Sequence, residues 1–226
     1  MVLTLACLGT GIATVVVGRS TNRLTADTGR LASLLAEDRY SELAALVAPA
    51  DRRGLPAQRL EAGWLAAVNQ AGALQRISRT YSVRDGATRR ELELLAFEKG
   101  TGTLSVARTP AGITAMWLLV GASSDAAATS LARSYTLALV SGGFGHVVAD
   151  FDSKMRAGLS SDRLATTTHV ATDNLEGQPT LVAQVTTGHG SYVTVGNYLL
   201  YRNGLVRVQI SFDADRKIAG LYLLSI

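Results

Sequence analysis

Chemistry at neutral pH draws on histidines, activated thiols or hydroxyls and paired carboxylates. The 226-residue chain has three histidines, His146, His169 and His189, and none stands near another, or near a cysteine, at metal-ligand spacing. That scatter supplies no zinc or other transition-metal set. His146 follows Gly145 on a predicted helix, His169 closes a threonine-rich stretch, and His189 lies between Gly188 and Gly190 in a predicted turn. The single cysteine, Cys7, sits in an apolar run away from any histidine, so it has neither an activating base nor an intrachain disulfide partner. Gly-x-Ser-x-Gly is absent, and no other local signature marks a nucleophilic serine. Gly9-Thr10-Gly11 and Gly142-Gly143-Phe144-Gly145 lack the P-loop lysine and open no βαβ unit, so they read as helix joints rather than a phosphate cradle. Asp150 and Asp152 flank Phe151 on a predicted helix, which suits a solvated edge better than an acid and base pair. No residue is assigned as catalytic, cofactor-binding or metal-ligating, and no cofactor is expected.

Charge gives a second exclusion. There are 22 cationic and 18 acidic side chains, a net charge of +4, and only Lys99, Lys154 and Lys217 are lysines. That excess is too small to imply nucleic acid. The densest basic group, Arg76, Arg79, Arg84, Arg89 and Arg90, spans two candidate strands and their turn and is broken by Asp85 and Glu91. It reads as a solvated hairpin face. An anion-binding groove is the alternative, because arginine forks match carboxylate and phosphate. No aromatic-rich RNA-binding signature or zinc-finger spacing accompanies the group.

The apolar N-terminus bears on location. Val2 to Val17 contains no charge and only threonine as a polar side chain. As a helix it would reach about 24 Å, short of the roughly 20 residues of a comfortable span, and it ends in the small-residue pattern Val16-Val17-Gly18 of an export signal. Residues 1–20 are therefore expected to be a signal peptide or membrane anchor, with a buried core helix as the third reading. One signal opposes export: Arg19, Arg23 and Arg30 follow the run and no Lys or Arg precedes it. Thr4-Leu5-Ala6-Cys7 places leucine one position late for a lipobox.

Behind these groups stands an internal repeat. Tyr40 and Val47 recur 104 residues later as Phe144 and Phe151, Gly54-Leu55-x-x-x-Arg59-Leu60 recurs as Gly158-Leu159-x-x-x-Arg163-Leu164, and Ile113 and Trp117 to Leu119 are matched by Ile218 and Tyr222 to Leu224. The boundary is expected in Gly121 to Ala126, with Ser124 or Asp125 as the next N-cap. Each half changes period once. Leu131, Tyr135 and Leu139, then Val147, Val148, Phe151 and Met155, recur at helical steps on two helices parted by Gly142-Gly143, and a further helix follows Ser161. Beyond Gly177 the period is two: Leu181, Ala183 and Val185, then Val193 and Val195, then Val206, Val208, Ile210 and Phe212, with Arg207 and Gln209 opposite, so each strand has one buried face. Turns are expected at Asn203-Gly204 and Asp213-Ala214-Asp215, and Lys99 to Thr103 lengthens one turn of the first half, where Pro56 opens a helix at or near N1. The fold class is α+β: two tandem cone-shaped domains, residues 25–121 and 125–226, each with N-terminal helices packed on a curved antiparallel sheet.

On Gly143-Phe144, Val147-Val148, Phe151-Asp152, Met155 and Leu159-Ser160-Ser161-Asp162-Arg163-Leu164, the second half resembles a bacterial domain-of-unknown-function family numbered 3887. That family belongs to the nuclear-transport-factor-two-like, cystatin-like cone fold. The resemblance covers about residues 125–226, with a weaker copy over 25–121. It implies an accessory role outside the cytoplasm, since members commonly follow export signals or lipid anchors and sometimes precede an α/β-hydrolase domain. It carries over no catalytic residue. Enzymes of the cone fold, such as ketosteroid isomerase, use an acid in an apolar pocket with a tyrosine or protonated acid opposite. Glu93, Tyr81, Tyr192 and Tyr198 could supply such parts, but Glu93 alternates with Leu92 and Leu94 and is expected on the wet face. The expected function is a non-enzymatic, exported or membrane-tethered binding or accessory module. Its partner would be an unidentified small ligand or protein, with possible N-terminal membrane contact. The alternatives are a small cone-fold isomerase, dehydratase or hydrolase, and a pure scaffold in which the two sheets pack on each other.

Overall fold

The computed structural model describes residues 30–122 and 125–226. The expected signal or anchor at 1–20, Cys7 and the candidate cap Ser124 lie outside the described residues. The first unit opens with α1 (Arg30–Ala36), α2 (Tyr40–Ala45) and α3 (Ala57–Ala71). Leu60, Trp64, Ala67 and Ala71 of α3 recur every three to four residues and are buried, which turns that stripe onto a sheet. Pro56 is the N-cap itself, in extended conformation, beside N1 as expected. The sheet is a meander of β1 (Leu74–Asp85), β2 (Thr88–Phe97), β3 (Gly100–Thr109) and β4 (Gly112–Gly121), all neighbours antiparallel. Gly100 to Thr103 therefore belongs to a strand and not to a long turn: Phe97 pairs with Gly100, leaving only Glu98 and Lys99 to reverse the chain.

The second unit repeats the plan. It has α4 (Ala126–Val140), α5 (Phe144–Ala149), α6 (Ser153–Gly158) and α7 (Ser161–Thr172), then β5 (Thr180–His189), β6 (Tyr192–Leu200), β7 (Leu205–Phe212) and β8 (Ile218–Ser225) in the order β5-β6-β7-β8. Asp125 caps α4 by accepting from the Ala128 N–H at 2.9 Å. The helices α4 and α5 are parted by Gly142, whose φ of 83° favours glycine, and Gly143. Phe151 is not on a helix. It lies between α5 and α6 and forms a parallel bridge to Ile218, as Val47 does to Ile113 one repeat earlier. The repeated Gly-Leu-x-x-x-Arg-Leu also has a structural task, because Arg59 Nη1 donates to the Gly54 carbonyl at 2.8 Å and Arg163 Nη1 to that of Gly158 at 3.3 Å.

Helices cover one face of each sheet. In the first unit Leu31, Leu35, Trp64, Leu95, Phe97, Leu104 and Ile113 form one core; in the second Tyr135, Leu139, Phe151, Val195, Val208, Ile210 and Phe212 form another. The strands do not have one wet face, however. A third apolar layer joins Val83, Leu92 and Leu119 of the first sheet to Val185, Tyr198 and Leu205 of the second and to Ile226, so the sheets pack on each other. Gly121 marks the closest approach: a Cβ there would run into the Thr186 carbonyl, so only glycine fits.

Candidate functional site

The inner face of the first sheet holds charge. Glu91 and Glu93 alternate with Leu92 and Leu94, as read from the sequence, but they turn toward the helices and are each only 1% exposed. The wet-face expectation for Glu93 is thus corrected: α1 lies over it, and the Ala32 N–H donates to its Oε2 at 3.2 Å. Glu91 faces Arg89 Nε at 2.9 Å and Arg108 Nη2 at 3.2 Å, close pairs whose N–H groups are not aimed at the carboxylate oxygens. Burial holds the Arg108 guanidinium below its ordinary value, with Glu91 and Glu93 opposing. Strand register places Asn197 at the position of Glu93 in the second unit, and there Gln184 Nε2 donates to Asn197 Oδ1 at 2.7 Å. The two interiors are therefore alike in shape and unlike in charge.

The acid and tyrosines of the isomerase reading are not brought together. Thr80 pairs with Glu93 and Tyr81 with Leu92, which puts Tyr81 on the opposite face of the sheet. Tyr192 is exposed, and Tyr198 is buried between the sheets, where it accepts a hydrogen bond from Thr103 Oγ1 at 2.5 Å. Asp150 and Asp152 do not form a solvated pair either. Asp152 caps α6 by accepting from the Met155 N–H. Asp150 accepts from Lys217 Nζ at 2.8 Å and Tyr135 Oη at 2.7 Å, and these bonds, Lys217 first, hold its carboxyl below the usual aspartate range. Burial, then the bond to Asp150, pushes Tyr135 up to about 12, so it stays protonated at neutral pH.

His146 packs at a tilt against Tyr135 with ring centres 5.6 Å apart and His169 meets Phe144 edge-on at 6.0 Å, while His189 is exposed at the end of β5. Among the described residues no three metal-ligating side chains converge, and no helix is long and apolar enough to cross a membrane. Of the basic hairpin, Arg76 and Arg84 are exposed on β1, Arg79 lies over the Tyr81 ring at 5.8 Å, and Arg89 is drawn to Glu91. An open cleft of about 320 Å³ lies where β5 begins and β6 ends, lined by Glu176, Thr180, Tyr201 and Arg202 among others.

The layer between the sheets holds a further polar set that sequence reasoning missed. Arg207 and Gln209 point into it from β7, on the side away from the Val206, Val208 and Ile210 core, and Thr103 and Ser105 point into it from β3. All four are buried. The alternation of Arg207 and Gln209 with valines was visible, but it reads equally well as a solvated face. No protein-family model matches the chain, and no curated protein is similar to it.

Proposed function

We propose that the chain is a non-catalytic binding or accessory module, exported or tethered at a membrane, made of two cone units fused in tandem so that one polypeptide supplies what a dimer of such units would. The observation that supports the fused-pair part of this most is the layer between the sheets, formed by Leu92, Leu119, Val185 and Leu205 among others and tied by the Thr103 to Tyr198 hydrogen bond. It gives each sheet a second covered face, as a dimer interface does. The groups an isomerase of this fold would use are engaged elsewhere, Glu93 under α1 and Tyr198 against Thr103. The uncharged run from Val2 to Val17 supports export or tethering.

Native mass spectrometry of the protein purified from its host tests the binding part. A bound molecule released unchanged on denaturation is the expected result. A bare protein mass, or a released molecule that the protein converts on incubation, overturns it. Fractionation with N-terminal sequencing tests the location: processed or membrane-bound protein is expected, and a cytosolic chain retaining Met1 overturns that part. A chain starting at Thr21 is expected to stay soluble and folded.

A further inference from the structure

Arg207 stands in mid-strand with 3% of its surface exposed. Its Nε is enclosed without an acceptor, its two Nη atoms keep a sliver of accessible surface, and among the described residues the guanidinium has no hydrogen-bond or ion-pair partner. No acidic side chain of the strands that line this layer lies near Arg207, and the main-chain carboxylate of Ile226, which joins the layer opposite Leu205, makes no ion pair with it. On β2 to β8, strand alternation places no Asp or Glu on the inter-sheet side, and the first acid on β1 is Asp85 at its far tip. Arg90, half-buried, adds a second cation to the same face of β2. A buried charge is ordinarily paired, because leaving water without a partner is costly. Ser105 Oγ is a second buried hydrogen-bonding group in the layer that lacks a partner.

We propose, building on the binding-module reading, that the inter-sheet layer at Arg207 is a site for a small monocarboxylate with an apolar body. A planar guanidinium fork matches a carboxylate with two parallel hydrogen bonds. Arg207 is the one fully buried cation of this layer among the described residues, Arg90 being half-buried, and a single negative charge balances it, which favours a monocarboxylate over phosphate. The surrounding side chains suit an aliphatic or aromatic body: Tyr198 and Leu224 are the cross-strand neighbours of Arg207, and Leu94 and Trp117 join the same layer from the other sheet. The two backbones come closest where β5 meets β4 and β3, and β1 and β8 make no comparable approach. Entry of a ligand therefore requires that second side to part, at the half-buried Tyr81, Leu94 and Leu224.

The test is thermal melting of the full chain with benzoate, octanoate, phosphate or chloride at matched ionic strength. Benzoate or octanoate is expected to raise the midpoint by a few degrees, and phosphate and chloride are not. Arg207→Met, which keeps the stem and removes the charge, is expected to melt higher than the parent without ligand and to lose the carboxylate shift. Arg207→Lys, which keeps the charge without the fork, is expected to bind roughly ten-fold more weakly. Ser105→Ala gives a second variant should Arg207→Met fail to fold, and is expected to reduce the shift. No shift with either carboxylate, or an equal shift in the parent and in the variants that fold, overturns the proposal. The two readings fail separately: a host-derived molecule retained equally by the parent and Arg207→Lys moves the ligand to another site and leaves the binding module standing, whereas bare masses for both with no carboxylate shift remove both readings.

Discussion

At the scale of single residues, two aspartates carry opposite pH signatures. Asp51 is buried with Oδ2 unpartnered, and desolvation raises its carboxyl above the ordinary range. The unfolded chain ionises this group first, so folded stability falls as pH rises from the ordinary aspartate value through the raised one. Asp51→Asn is expected to melt higher than the parent at about pH 7 and to converge with it near about pH 3. Asp150 runs the other way, because Lys217 and Tyr135 lower its carboxyl. Its contribution is present above the ordinary aspartate value and is lost as pH falls through the lowered one. Asp150→Asn is expected to melt lower at neutral pH, with the gap closing in acid. Paired melting curves across that range check both signs, and an Asp51→Asn variant less stable than the parent at neutral pH would contradict the burial argument.

At the scale of elements, caps and bridges hold the helices to the sheet. Asp125 caps α4 and also receives Arg216 Nη1 at 2.6 Å, so the cap is tied to the β7–β8 turn. Asp125→Ala is expected to cost about 1 kcal/mol through the lost cap, and urea titration measures it. Phe151 is a fully buried side chain of the second core and bridges to Ile218. Phe151→Ala is expected to cost about 3 to 5 kcal/mol, enough to threaten that unit. Hydrogen exchange is the readout that separates the units: early loss of protection in β5 to β8, ahead of β1 to β4, is expected, and simultaneous loss in both sheets would mean a single cooperative unit.

At the scale of the molecule, each half has its own helix-to-sheet core and shares only the layer between the sheets. A fragment of residues 125–226 keeps the second core but uncovers Val185, Tyr198 and Leu205. It is expected to melt cooperatively below the full chain and to self-associate through the uncovered face, since an apolar sheet face left in water favours a partner. Circular dichroism and light scattering decide this. A random-coil spectrum would show that the shared layer is needed for either core to form.

The repeat, the order of helices and strands, and most turns were legible in the sequence because they rest on local signals: a change of period from helical to two, glycine at a helix joint, and Asp125 before an apolar run. Strand alternation also told correctly which residues share a face. It does not tell what covers that face. Glu93 alternates with leucines as a solvated residue would, yet α1 lies over it, and Arg207 alternates with valines as a solvated residue would, yet the other sheet lies over it. Covering is decided by elements far away in the chain, Ala32 for Glu93 and the first sheet for the face that bears Arg207. The sequence by itself therefore determined the units, whose contacts are mostly local. The tertiary structure decided which polar groups lose water, because desolvation depends on long-range packing that no short-range pattern encodes.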